Sequence, residues 1–155
     1  MNKQLVALVS IVVMVSNLFT FKFKAPLTTE ECAELVGLSY DEFVLMSSVV
    51  EAESNRSTDG NLEGRIYIAV TIINRVNSDR FPNTVTGVLT QSGQFSTVRG
   101  GVSVTNRTEW SDEAVVAAYA WVAEGDAPDC LFFNCRYYFA GHEPVAYVGG
   151  NYFSR

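Results

Sequence analysis

The stretch Leu62–Val76 constrains this chain more than any other. It contains Ile66, Ile68, Ala69, Val70, Ile72 and Ile73, and its middle is apolar almost all round. A helix of that kind has no polar face to offer water, so it belongs in the centre of a domain. Its β-branched residues would also suit a strand. Glu63 near the start and the length of the run favour a helix. The rest of the chain must wrap around this element.

A second helix is expected over Tyr40–Ser54. Phe43, Met46, Val49, Val50 and Glu53 follow helical spacing and fall on one face. The same wheel puts Glu51 beside Val44, Ser47 and Ser48, a more polar side. Two glutamates two residues apart do not face each other. Glu53 is therefore expected toward the core and Glu51 away from it. A carboxylate on an apolar face loses hydration, which favours its protonated form. That is the state a proton donor needs near neutral pH. The plainer reading is a partly buried glutamate neutralised by Arg56, Arg65 or Arg75.

The remaining elements follow from local signals. Thr28 with Glu31 is a capping-box pattern, and Gly37 is a stop for the short helix between them. Ser39 with Glu42 repeats the pattern at the head of the helix that carries Glu53. Asn55–Asn61 is a polar loop directly after Glu53 and could form one lip of a cleft. A short helix is expected over Thr84–Thr90, and Gln91–Ser96 leaves regular structure. Ser111 can cap a helix over Asp112–Glu124, with Gly125 behind it and Val115, Ala118, Tyr119 and Val122 as its buried stripe. After Pro128 the pattern changes. Leu131–Phe133 and Tyr137–Phe139 are aromatic and strand-like, and Val145–Val148 and Asn151–Phe153 flank the turn Gly149–Gly150. Helices come first and a small sheet last, an α+β arrangement.

Charge and address narrow the function classes. The chain has 155 residues. The apolar run Leu5–Phe21 is flanked by Lys3, Lys22 and Lys24 and suits a signal h-region or a membrane anchor. Residues 1–25 are thus expected to be a signal peptide or N-terminal anchor, with possible membrane contact through residues 5–21, and residues 26–155 a single domain. All 17 acidic residues lie after Pro26, together with eight arginines and no lysine, so this part carries 8 − 17 = −9. A basic stripe is absent, which argues against nucleic acid as a partner. Cys130 and Cys135 enclose four residues and could pair in an oxidising compartment, leaving Cys32 free. The cysteine spacing matches no zinc pattern, and His142 is the one histidine. No metal or cofactor is expected, and a Ser-His-Asp triad would rest on that single loop imidazole. A monomer is expected.

Several strings now gain meaning together. They are Val49–Ser54, Glu63–Gly64, Ala69–Val76, Arg80–Val85, Gly87–Val88, Gly93–Ser96, Leu131–Asn134 and Val148–Gly150. In order and spacing they resemble the cell-wall hydrolase family of spore cortex-lytic enzymes, the SleB/CwlJ type. The resemblance spans about Tyr40 to Phe153. It implies a lysozyme-like fold, mainly helical with a small C-terminal antiparallel sheet, and cleavage of peptidoglycan glycan strands in spore cortex during germination or in cell wall. The family motif puts its catalytic glutamate at Glu53, in agreement with the helical-face reading. Glu51 falls where the family has an aromatic or another glutamate, and no chemistry is assigned to it. Gln94 and Phe95 match a Gln-Phe loop and become candidate substrate contacts, as do Phe133, Asn134 and Asn151.

This sequence also departs from the family. Asn151 stands where a histidine is common, and the loop Asn55–Asn61 is longer and lacks a familiar glutamate. The N-terminal peptidoglycan-binding domain of some members is not expected here, and wall anchoring is expected from the domain or the apolar segment. The resemblance favours a single-glutamate lytic transglycosylase over a two-carboxylate muramidase, for which Asp59, Glu63 and Asp112 are the available partners. Two rival readings stand beside it: a binding module that kept the fold and lost the chemistry, and a membrane-tethered partner-binding protein.

Overall fold

The structure, a computed structural model, describes residues 26–54, 61–95, 98 and 107–155. The apolar N-terminal segment, most of the 55–61 loop and the segment around Arg99–Gly101 lie outside them. Five helices and three strands occur among the described residues: α1 (Thr29–Val36), α2 (Tyr40–Ser54), α3 (Leu62–Val76), α4 (Val85–Thr90), α5 (Glu109–Glu124), β1 (Phe132–Asn134), β2 (Pro144–Val148) and β3 (Asn151–Ser154).

The helix α3 is central, as its composition demands. Ile68, Ala69, Val70, Thr71, Ile72 and Ile73 are buried in unbroken succession, so every side of that turn and a half is covered. The covering elements are α2, α4, α5 and the sheet. From α2 come Phe43, Met46, Val49 and Val50; from α5 come Ala114, Val115 and Ala118; from α4 come Val85, Val88 and Leu89. Each large apolar side chain buried in this way contributes about 1.5–3 kcal/mol.

Most helix ends are set by the expected side chains, with Asn61 an unexpected cap and one correction. Thr28 and Glu31 form the capping box of α1, and Gly37 ends it in the left-handed conformation at φ 73°. Ser39 Oγ accepts from Glu42 N at 3.3 Å at the head of α2. Asn61 Oδ1 accepts from Gly64 N at 2.7 Å at the head of α3. The helix α5 begins three residues earlier than its sequence suggests. Thr108 is the N-cap, and Ser111 is the reciprocal partner at the third helical position rather than the cap.

The sheet has the order β1-β3-β2 and is antiparallel throughout. Phe133 lies opposite Phe153 and Asn134 opposite Tyr152, while Tyr147 also lies opposite Tyr152. Alternation therefore sends Phe133 and Phe153 to the inner face and Asn134, Tyr152 and Tyr147 to the outer face. Inside, Phe153 packs on Tyr67 of α3 with ring centroids 5.1 Å apart. Gly149 and Gly150 make the β2–β3 turn with φ 54° and 76°. That turn rests directly on the first turn of α3. A Cβ placed on Gly149 would lie 2.7 Å from the Cα of Gly64.

Two expectations near the sheet are corrected. Tyr137–Phe139 is not a strand. Asn134 Oδ1 accepts from Arg136 N at 2.9 Å, a side-chain turn that carries the chain away after β1. Cys130 and Cys135 are unpaired: Cys130 is buried, its Sγ 3.2 Å from Thr71 Oγ1, whereas Cys135 is exposed. His142 is half-buried, with its ring 4.3 Å from that of Phe132.

Candidate active site

The last turn of α2 carries both glutamates and no basic residue. Acids at this end of a helix sit at its negative pole, an unfavourable place worth roughly 0.3–1 kcal/mol per charge near a surface. Other elements must supply the compensation. Glu53 is 8% exposed, on the buried side that its spacing indicates.

Glu51 is buried too, at 4% exposure, which corrects the expectation that it turns away from the core. The cause lies outside α2. Arg65, from the first turn of α3, donates from Nε to Glu51 Oε2 at 2.9 Å and from Nη2 to Oε1 at 2.8 Å. Thr108 Oγ1, at the head of α5, donates to the same Oε2 at 2.8 Å. A two-pronged guanidinium contact and a hydroxyl satisfy the carboxylate well enough to keep it out of water. Removing one member of such a buried pair costs about 3–5 kcal/mol. Ser54 Oγ donates back to the carbonyl of Glu51 at 2.8 Å, closing the helix end.

Arg75, another arginine considered as a neutralising partner for Glu53, has a different occupation. Its Nε donates to the carbonyl of Leu131 at 2.7 Å. Its guanidinium lies 5.1 Å from the Phe81 ring, 5.3 Å from Phe95 and 5.6 Å from Phe132. Burial lowers its pKa from 12.5 to about 10. It ties the strand entry to the end of α3, helped by Asn74 Nδ2, which donates to the carbonyls of Pro128 and Cys130. Arg56 lies outside the described residues.

The other carboxylates are placed as follows. Glu63 is exposed on the first turn of α3. Asp112 is buried at the joint of α1, α2 and α5, where it accepts from Ser47 Oγ at 2.5 Å and from Thr29 Oγ1 at 3.3 Å and pairs with Arg107. Asp59 lies outside the described residues. No group of three or more metal-ligating side chains occurs among the described residues.

The candidate substrate contacts fall into separate environments. Gln94 is exposed. Phe95 is 3% exposed and packs toward Phe133, with centroids 6.3 Å apart. Those two aromatics are brought together, and Phe133 continues to Phe153 at 5.7 Å. Asn134 lies on the outer face of the sheet and Asn151 on the inner, so these two amides are not brought together. Asn151 is 2% exposed, and its Nδ2 has no hydrogen-bond acceptor among the described residues. A buried donor left without an acceptor costs about 1–3 kcal/mol.

Sequence reading missed the joint of Glu51, Arg65 and Thr108. The Thr108–Ser111 spacing is a capping signal, and two acids at a helix C-terminus signal an external cation. Neither says that the same threonine serves both jobs.

Comparisons with known proteins agree with this architecture. The sequence pattern of the Cell Wall Hydrolase family matches residues 60–153. The spore cortex-lytic enzyme of Bacillus cereus is 34% identical over 99 residues, covering 63% of this chain and 36% of that protein. The spore cortex-lytic enzyme of Oceanobacillus iheyensis is 33% identical over 99 residues, covering 63% of this chain and 34% of that protein. The chain thus matches about a third of the length of these curated relatives. The catalytic domain of the germination-specific lytic transglycosylase SleB from Bacillus anthracis aligns with a TM-score of 0.63 at 25% identity, covering 77% of this chain and 98% of that one. The catalytic domain of Bacillus cereus SleB aligns with a TM-score of 0.63 at 26% identity, covering 76% and 91%.

Proposed function

The chain belongs to the cell wall hydrolase family, and from that premise we propose that it cleaves peptidoglycan glycan strands with Glu53 as its proton donor. The bond is that between N-acetylmuramic acid and N-acetylglucosamine. Glu53 protonates the glycosidic oxygen as the sugar passes through an oxocarbenium-like state. The resulting carboxylate then takes the proton from the muramic acid 6-hydroxyl as that oxygen attacks the anomeric carbon. The product carries a 1,6-anhydro end, as in lytic transglycosylases.

The observation that carries this reading is the burial of Glu53 at the closed end of α2, at the position given by the family motif. Its assignment rests on that motif's order, since the matched family pattern begins at residue 60. The single-glutamate route is supported by the fate of the two described candidate partners. Asp112 is consumed by a three-helix joint and Glu63 faces solvent. Asn151 offers a buried amide donor that a substrate carbonyl, such as an acetamido group, would satisfy. Gln94 provides an exposed amide, while Phe95 and Phe133 shape the wall behind it. Residues 1–25 would export or tether the domain so that it faces the wall, with residues 26–155 acting as a monomer.

Digestion of purified cortex and product analysis by mass spectrometry test the proposal. Fragments ending in anhydro-muramic acid are expected, and Glu53→Gln should remove them while leaving the circular dichroism spectrum unchanged. Reducing ends would instead mean hydrolysis with water as the acceptor. Full activity in Glu53→Gln would remove Glu53 from the chemistry. A second reading, a glycan-binding module without turnover, is favoured by Asn151 standing in place of the family's histidine. It predicts sedimentation with sacculi and no soluble fragments.

A further inference from the structure

We propose that Glu51, Arg65 and Thr108 form a positioning device that holds the last turn of α2, and with it Glu53, against the heads of α3 and α5. The proposal rests on the reading of Glu53 as the proton donor and extends it to three residues to which that reading gives no part. Three helix ends meet at one carboxylate. Glu51 belongs to the negative pole of α2, while Arg65 and Thr108 belong to the first turn of α3 and the N-cap of α5. Both receiving helices present their positive poles here, so the carboxylate is attracted by them as well as by the guanidinium.

The contacts leave little freedom. Both oxygens of Glu51 accept from Arg65, and Oε2 accepts a further bond from Thr108. Thr108 Oγ1 also accepts from Ser111 N at 3.2 Å, so one hydroxyl caps α5 and grips α2 at once. On the α2 side, the bond from Ser54 Oγ to the Glu51 carbonyl ties the gripped residue to the end of the turn. Glu53 lies between those two residues. A helix end without a cation of its own frays readily, because its last carbonyls lack intrahelical partners. A proton donor on a fraying turn would spend much of its time out of reach. The trio touches neither the substrate nor the reacting atoms; it acts through the backbone that carries Glu53.

Full-length chains bearing Arg65→Lys, Thr108→Val or Thr108→Ser give the test. Arg65→Lys keeps the charge but loses the two-pronged contact. Thr108→Val removes the hydroxyl, and Thr108→Ser keeps it. In a cortex digestion assay normalised to folded protein, Arg65→Lys and Thr108→Val should lower kcat about tenfold to a hundredfold with KM within about twofold, since a misplaced catalytic group costs rate rather than binding. Thr108→Ser should restore kcat. Amide exchange is read alongside: Ala52, Glu53 and Ser54 should exchange about tenfold or more faster in the two impaired variants, with Met46 and Val49 unchanged.

An unchanged kcat per folded molecule with only a lower Tm would overturn the proposal, as would uniform acceleration of exchange along α2. If Glu53→Gln keeps full activity, it is the reading of Glu53 as donor that fails. The exchange pattern then still decides whether the trio holds the turn.

Discussion

At the scale of single residues, the cysteines show how packing replaces a bond that spacing permits. Cys130 is fully buried against Thr71, and Cys32 is buried beneath α5 near Asp112. Burial raises both thiols from 9.0 to about 11; for Cys32 the nearby Asp112 and Glu31 add to it. The consequence for stability has a definite sign. Below pH 9 both thiols are protonated in the folded and unfolded chain. Between pH 9 and about 11 the unfolded chain loses these protons first, so the folded state loses stability as pH rises. Tyr119, raised by burial to about 12, extends the loss upward. Arg75, lowered to about 10, opposes it only above that pH. Urea midpoints should therefore fall as pH rises from about 9 to about 11, and the double variant Cys32→Ala, Cys130→Ala should show a shallower fall. An equal slope in the variant would mean that other groups govern alkaline unfolding. Adding a reductant should leave the wild-type midpoint unchanged, since no disulfide is present among these residues.

At the scale of elements, the β2–β3 turn meets α3 backbone to backbone. A Cβ on Gly149 would lie 2.7 Å from the Cα of Gly64, and one on Gly64 would lie 2.9 Å from the Cα of Gly149. Both obstacles are backbone, which cannot turn aside as a flexible side chain can. Gly149→Ala and Gly64→Ala should each lose about 1–3 kcal/mol by overpacking, measured by urea unfolding. Gly93→Ala serves as a comparison: it shares the strained positive φ of Gly149, but nothing lies within 4 Å of its added Cβ. A loss at Gly64 no larger than at an open site would show that the turn can lift away. Here the limits of reading a sequence are visible. The spans of α2 and α3 were legible to the residue because apolar spacing and polar termini coincide there. The β2–β3 hairpin was legible because two glycines interrupt two aromatic strands. The start of α5 was not, since Thr108 and Ser111 both look like caps and only the fold decides between them. Tyr137–Phe139 has strand composition, yet a side-chain turn at Asn134 directs it elsewhere. Glu53 could be read as inward from its own helix. Glu51 could not, because its burial depends on a cation and a hydroxyl brought from two other helices. Asn134 and Asn151 looked equivalent as amides, and only the strand register separates them onto opposite faces.

At the scale of the whole molecule, one core built around α3 supports every element that borders the proposed site. The domain over residues 26–155 should therefore be soluble without the apolar segment and should release fragments from its substrate. The curated relatives are named spore cortex-lytic enzymes, and if the proposed activity follows theirs, cortex is cleaved faster than vegetative peptidoglycan. Side-by-side digestion of cortex and vegetative peptidoglycan checks this; equal rates would remove the preference, and an insoluble truncation would show that residues 1–25 are needed for folding. No helix among the described residues is long and apolar enough to cross a membrane.

The grip on Glu51 has a consequence for how such a domain can diversify. Ser54 is tied back into α2, and Asn61 is committed to the head of α3. Each attachment point of the intervening residues thus has an anchor within its own helix. Doubling the length of such a connection adds only about 0.6 kcal/mol in closure entropy. New sequence can accumulate between the anchors and reshape what the domain prefers, while the acid beside them keeps its address.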